Sequence, residues 1–227
     1  MLKGIDVSKW QEFASGKFTN AVVEQAYQDS DFVIVKATQG VSYVNSTNCD
    51  KIIQRCINDG KLWGFYHYAG GNDAEKEAKW FYDNCLNYFG DGIPCLDFES
   101  SQNDAWDDGE WALDFVNALH DLTQVWPLVY TSAAYVSRIK SCAPYCGLWV
   151  AGYPDSSIKD WGYPDFEYSI EPWGTYTVWQ YTNSAGIIDR DVARLTFENW
   201  GKIARGDMGT AEAEDESGCT CSCCCKV

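Results

Sequence analysis

The sequence predicts an α/β fold, an irregular (β/α) TIM-like barrel formed by a single domain. Three observations predict it. First, eight short apolar runs alternate with segments of helical character across the first 191 residues. That alternation implies parallel strands joined by right-handed crossovers. Second, runs such as Phe32-Val33-Ile34-Val35 are apolar throughout, as in sheets covered on both faces. Third, polar residues recur where each run stops, which a closed barrel gathers on one face. An open doubly wound sheet is the competing architecture. It lacks support because no Gly-rich phosphate turn follows the first run. No internal repeat is present, and no Pro- or Ser-rich linker occurs before residue 205.

In chain order, Leu2 to Val7 is the first strand and ends at Asp6-Val7-Ser8. Asn20 is placed to cap a helix running to about Gln28. The second strand, Phe32 to Ala37, leads into Thr38-Gln39-Gly40. Asn48 caps a helix closed by Gly60. Leu62 to Tyr68 is the third strand, and Asp73 caps the helix after it. The fourth strand starts at Ile93 after the Gly90-Asp91-Gly92 turn. Asp107 or Asp108 opens a long helix to about Thr123. Pro127 to Thr131 is the fifth strand, Ala133 to Ile139 a short helix, and Leu148 to Ala151 the sixth strand. The next stretch, with Pro154, Pro164 and Pro172, carries no helix signal. Thr177 to Tyr181 is the seventh strand, Ile187 to Asp191 a weak eighth, and a helix from Leu195 to about Ala204 closes the domain.

Composition removes several function classes. A net charge of −16 argues against a nucleic-acid partner. No apolar run approaches the roughly 18–20 residues that span a bilayer, so no membrane insertion is expected. The N-terminus shows no charged segment followed by a long apolar one, so no signal peptide is expected and synthesis is placed in the cytosol. Eleven cysteines then read as mostly reduced thiols. Cys49 and Cys56 stand about 10 Å apart along a helix, too far to bridge; Cys142 and Cys146, around Pro144, could meet. With two histidines, His67 at a strand end and His120 mid-helix, neither a metal site nor a cofactor is expected. Eleven Trp and 14 Tyr exceed the usual need of such a core. Aromatic excess of that kind lines sugar-binding grooves, the alternative being ordinary packing.

The chemistry concentrates in Leu96-Asp97-Phe98-Glu99. Residues two apart on a strand share a face, so Asp97 and Glu99 project together with Phe98 turned away. Each disfavours ionisation of the other, which leaves one group protonated and one charged. That division is what glycosidic bond cleavage requires. The competing reading is a salt-bridged pair, with Lys36 as partner. The other strand-end residues are Asp6, Lys36, Gln39, Tyr66, His67, Tyr130, Trp149, Trp179, Gln180 and Asp191. Barrel closure makes Asp6 and Asp191 neighbours, giving four carboxylates around one pocket, with Asp189 a rival for Asp191. Trp149 and Trp179 have packing as their alternative role.

Six segments in order carry a resemblance. They are Ile5-Asp6-Val7-Ser8-Lys9-Trp10-Gln11, Val33-Ile34-Val35-Lys36-Ala37-Thr38, Gly64-Phe65-Tyr66-His67-Tyr68, Leu96-Asp97-Phe98-Glu99, Leu148-Trp149-Val150-Ala151 and Val178-Trp179-Gln180-Tyr181. Together they resemble family 25 glycoside hydrolases, the Chalaropsis-type lysozymes that include many phage endolysins. The resemblance covers residues 1 to about 204. It implies a muramidase that cleaves the β-1,4 bond between N-acetylmuramic acid and N-acetylglucosamine of bacterial peptidoglycan. It implies Glu99 as general acid, Asp97 as its charged partner, and Asp6 and Asp191 as supporting carboxylates, Asp191 being preferred to Asp189 because an apolar residue follows it. Tyr66, Tyr130, Trp149 and Gln180 match groove-lining positions; Trp179 and Lys36 complete the candidate substrate contacts. Gln39 stands where the family often has Glu, and Ala193 where it usually has Asn. A protein of this type without a signal peptide reaches the wall by holin-type release or host lysis. The rival reading is a non-catalytic wall-glycan-binding protein on the same barrel.

Residues 1–204 thus read as the catalytic barrel and 205–227 as an acidic linker with a Cys-rich end. Cys219, Cys221, Cys223, Cys224 and Cys225 leave open soft-metal binding, intermolecular crosslinking, or no chemistry at all. Oligomeric state is not legible.

Overall fold

In the computed structural model, residues 1–207 are described, and the Cys-rich end lies outside them. The elements run β1 (Leu2–Val7), α1 (Ala21–Asp29), β2 (Phe32–Gln39), α2 (Cys49–Asp59), β3 (Leu62–Tyr68), α3 (Ala74–Cys85) and β4 (Ile93–Asp97). There follow α4 (Trp111–Thr123), β5 (Leu128–Ser132), β6 (Leu148–Ala151), β7 (Val178–Thr182), β8 (Asp189–Ala193) and α5 (Phe197–Arg205). Two-residue strands at Phe13–Ala14, Lys17–Phe18 and Tyr43–Val44 decorate the loops.

The eight long strands pair in the order β1-β8-β7-β6-β5-β4-β3-β2, and β2 returns to β1, closing the barrel. Strands β1 to β7 run parallel, as expected. β8 does not: it is antiparallel to both β1 and β7. The cause is loop length. Residues 183–188 are too few for a crossover, which needs a dozen or more, so the chain can only turn back.

Two apolar layers follow from strand alternation. Inside the barrel, Phe32, Ile34, Ile93, Cys95, Leu128 and Val178 fill the lower interior, with Trp200 and Ile203 of α5 plugging its base. Outside, Val33, Val35, Phe65, Leu96, Val129 and Val150 meet the helices. Where no helix covers β7, the irregular segment after β6 does so with aromatic rings. Phe166 and Tyr176 lie 5.1 and 5.9 Å from the Trp179 ring. The approach is close enough that a Cβ on Gly152 would meet the Tyr168 ring at 2.6 Å.

The caps hold in part. Asn20 accepts from Val22 N at 2.8 Å and Asp73 from Lys76 N at 3.0 Å. Asn48 occupies the cap position of α2 without a side-chain bond there. α4 starts at Trp111, later than Asp107 or Asp108, because Asp108 spends its carboxylate on Glu110 N in a local turn. The last helix runs one residue past the expected boundary, to Arg205, and closes on left-handed Gly206. Cys142 and Cys146 are buried and unbridged, as are Cys49, Cys56, Cys85 and Cys95.

Candidate active site

The mouth of the barrel is built from inward residues near the ends of the parallel strands. Tyr68, Asp97, Tyr130 and Trp149 are register partners across β3, β4, β5 and β6, so they form one row. Tyr130 and Trp149 rings lie 4.6 Å apart, and Tyr66 meets Trp149 edge-on at 6.1 Å. Gln180 ties the row to the barrel seam. Its Nε2 donates to Asp6 Oδ2 at 2.6 Å, while its Oε1 accepts from Tyr130 at 3.0 Å and from Tyr153 at 2.5 Å. Glu99 lies just beyond β4, beside the Tyr130 and Tyr68 hydroxyls.

The expected carboxylate cluster is present. Asp6 and Asp97 are 7% and 6% exposed and Asp191 is fully buried. Asp191 accepts from Trp149 Nε1 at 2.8 Å. The antiparallel course of β8 changes the ranking of its two acids. Asp189, at the start of β8, is opposite Asp6 at the end of β1; Asp191 is opposite Gly4, two residues deeper. The acid at the mouth is therefore Asp189, and Asp191 belongs to the layer beneath.

Crowding and burial act in the same direction on this cluster. Burial pushes Asp97 well above the usual carboxylate range, the Glu99 charge adds to this, and Lys36 opposes it. Burial also raises Glu99, against the Tyr130 and Tyr68 hydroxyls, which pull it down. Each phenol has a single proton, and those of Tyr130 and Tyr68 already serve Gln180 and Ser101 O. Their support for a charged Glu99 is correspondingly limited. Asp6 is raised by burial, then by Asp189 and Asp191. Asp189 is pushed up to about 6 and Asp191 to about 8, burial leading in both. Asp97 Oδ1 is buried without a hydrogen-bond partner among the described residues.

Lys36 makes no ion pair with Asp97 or Glu99; its Nζ donates to Gln39 Oε1 at 2.9 Å. The salt-bridge alternative for the acid pair is absent. One expected substrate contact faces away. Trp179 is fully buried in the outer layer, its Nε1 donating to Gly152 O at 2.9 Å. Strand alternation requires this once its neighbour Gln180 points inward. His67 is outside for the same reason, between inward Tyr66 and Tyr68. It bridges Glu77 Oε2 at 2.9 Å and Thr38 Oγ1 at 2.8 Å and stacks on Phe115. No cluster of ligands suited to a metal ion occurs among the described residues. The sequence reading passed over Tyr68 and Tyr153. Tyr68 was recoverable from the period of two; Tyr153 sits in an irregular segment with no such signal.

Fold and site together define a carboxylate-mouthed barrel of glycosidase type. The profile described as Glycosyl hydrolases family 25 matches residues 5–189, and the chain belongs to that family. It is 31% identical over 175 residues to the autolytic lysozyme of Clostridium acetobutylicum, covering 74% of this chain and 50% of that one. The match therefore spans half the length of that relative. It is 28% identical over 150 residues to the N,O-diacetylmuramidase of Chalaropsis sp, covering 60% and 68%. The fold superposes on the muramidase from Acremonium alcalophilum with a TM-score of 0.71 at 23% identity, covering 91% of this chain and 100% of that chain.

Proposed function

We propose that the chain is an N-acetylmuramidase, a lysozyme that hydrolyses the β-1,4 bond from N-acetylmuramic acid to N-acetylglucosamine in bacterial peptidoglycan. The observation that carries this reading is the Asp97–Glu99 pair at the barrel mouth, both raised by burial and with no direct ion pair to Lys36, whose Nζ donates to Gln39 instead. The names borne by the Clostridium and Chalaropsis relatives support the substrate.

Glu99, nearer the open end, donates its proton to the glycosidic oxygen as the bond breaks. Asp97, below it, stabilises the positive charge that develops on the sugar, or orients the substrate's 2-acetamido group. The buried Asp97 oxygen without a partner is placed for that task, since a substrate N–H or cationic ring would be its first stabilising contact. Asp6, held by Gln180, and Asp189 complete a negative field that favours an oxocarbenium-like state. Tyr66, Tyr130 and Trp149 form the apolar wall against which a sugar ring packs. The protein acts on the wall once released from the cell that made it.

The test is mass spectrometry of the products from purified walls. New reducing-end muramic acid is expected from the wild type and not from Glu99→Gln. Reducing-end glucosamine instead, or glycan binding without any cleavage, would overturn the assignment.

A further inference from the structure

A cationic cleft adjoins the carboxylates in a protein whose net charge is −16. It measures about 350 Å³ and lies among the loops after β1, β2 and β3, with Lys9, Trp10, Lys36, Gln39, Tyr43 and Asn72 on its walls. Lys36 links it to the active site. Its Nζ stands 4.1 Å from the Tyr68 ring centroid and its charge acts on Asp97 and Glu99. Lys9 Nζ lies 4.8 Å from the Trp10 ring centroid and 5.7 Å from that of Tyr43.

Three features mark the cleft as a receptor rather than a solvated surface. The lysine ion pairs among the described residues involve Lys76, Lys79 and Lys202, so Lys9 and Lys36 have no anionic partner. Gln39 accepts from Lys36 without cancelling its charge. Trp10 is 79% exposed at the rim, a large apolar face with no cover. Two ammonium groups close enough to repel each other, beside an open aromatic face, suit a ligand that is anionic at one end and apolar along its stem.

We propose that this cleft binds a carboxylate carried on the lactyl arm of muramic acid, with Lys9 and Lys36 as its counterions. The inference rests on the muramidase reading. The bond to be cut leaves C1 of muramic acid, and the lactyl arm springs from C3 of the same ring. A ring seated at Glu99 therefore projects that arm a few atoms to one side. The carboxylate is either the arm's own or one belonging to a stem peptide attached to it.

The test compares wild type with Lys9→Gln and Gln39→Glu on three soluble glycans. One carries intact stem peptides. The second is the same material with its carboxylates amidated by carbodiimide and ammonia. The third is stripped by an amidase, which leaves free lactyl carboxylates. Each variant should raise KM about three-fold on an acid-bearing strand, the size typical of one exposed charge pair. Lys9→Gln should not change KM on amidated strands, and its kcat should hold throughout. A gap on the peptide-bearing strands locates the acid in the peptide; a gap on the stripped strands locates it on the lactyl group. Equal KM values on all three, or an equal loss on amidated strands, would overturn the inference. Wild-type protein that releases no reducing-end muramic acid from any strand would remove the muramidase reading, and the inference with it.

Discussion

β4 and β8 make the same local statement with opposite consequences. Each carries two carboxylates spaced two apart: β8 holds Asp189 and Asp191 within the strand, while β4 ends at Asp97 with Glu99 just past it. β4 runs toward the mouth, so its later acid, Glu99, is the more exposed of the two. β8 runs away from the mouth, so its earlier acid, Asp189, takes that place and Asp191 is buried beneath it. The spacing of paired acids says only that they share a face. Strand direction decides which of them works at the surface and which becomes a buried group of the interior.

The comparison can be broken first at Glu99. Glu99→Gln should lower kcat by roughly 10²–10⁴-fold, the range for loss of a general acid, with the melting temperature nearly unchanged. A loss of only a few-fold would take the acid role from Glu99. The wild-type rate should fall on the alkaline side, as the raised Glu99 carboxyl gives up its proton; Glu99→Gln should lack that limb.

Asp191→Asn tests the buried member of the other pair through stability. Asp191 is raised from 3.8 to about 8, so between those values the folded state holds a proton that the unfolded chain has released. The group therefore costs stability progressively as pH rises through that window, and the full cost stands above it. The Asn carbonyl can still accept from Trp149. The variant should gain several kcal/mol, up to about 5, at pH 9 relative to wild type and little at pH 4. Denaturant unfolding at the two pH values reads this; a variant less stable at pH 9 would show that the charge is favourable where it lies.

Asp189→Asn should act on turnover instead, lowering kcat/KM about ten-fold, as for one lost charge interaction near the reacting centre. A larger loss of activity in Asp191→Asn than in Asp189→Asn would restore the deeper acid as the functional one. The smallest effect is expected at Trp179→Phe. It should lose about 1 kcal/mol of stability from its outer packing and its bond to Gly152 O, with KM for soluble glycan unchanged. A raised KM would return Trp179 to the groove.

Much of this was legible in the chain. Apolar runs ending in polar residues marked the seven parallel strands and the side on which their ends gather. The spacing of Asp97 and Glu99 pointed to the end of the fourth strand, although the strand itself stops at Asp97 and Glu99 follows just past it. Alternation also contained the correction at Trp179, for a strand whose Gln180 points in must turn its neighbour out, and the same rule makes His67 a hydrogen-bonded wall residue. Tyr153 was out of reach, because the segment after β6 has no period and gains its shape from aromatic packing against β7.

The sequence by itself determined the parallel strands, their apolar layers and the two acids at the end of β4, because those depend on periodicities of a few residues. The tertiary structure decided the rest. It turned β8 against its neighbours because six loop residues cannot cross a barrel. It chose Asp189 over Asp191 for the mouth, and it left Lys36 to Gln39 rather than to an acid. Each of those outcomes depends on which distant strand lies alongside, and no local pattern encodes that.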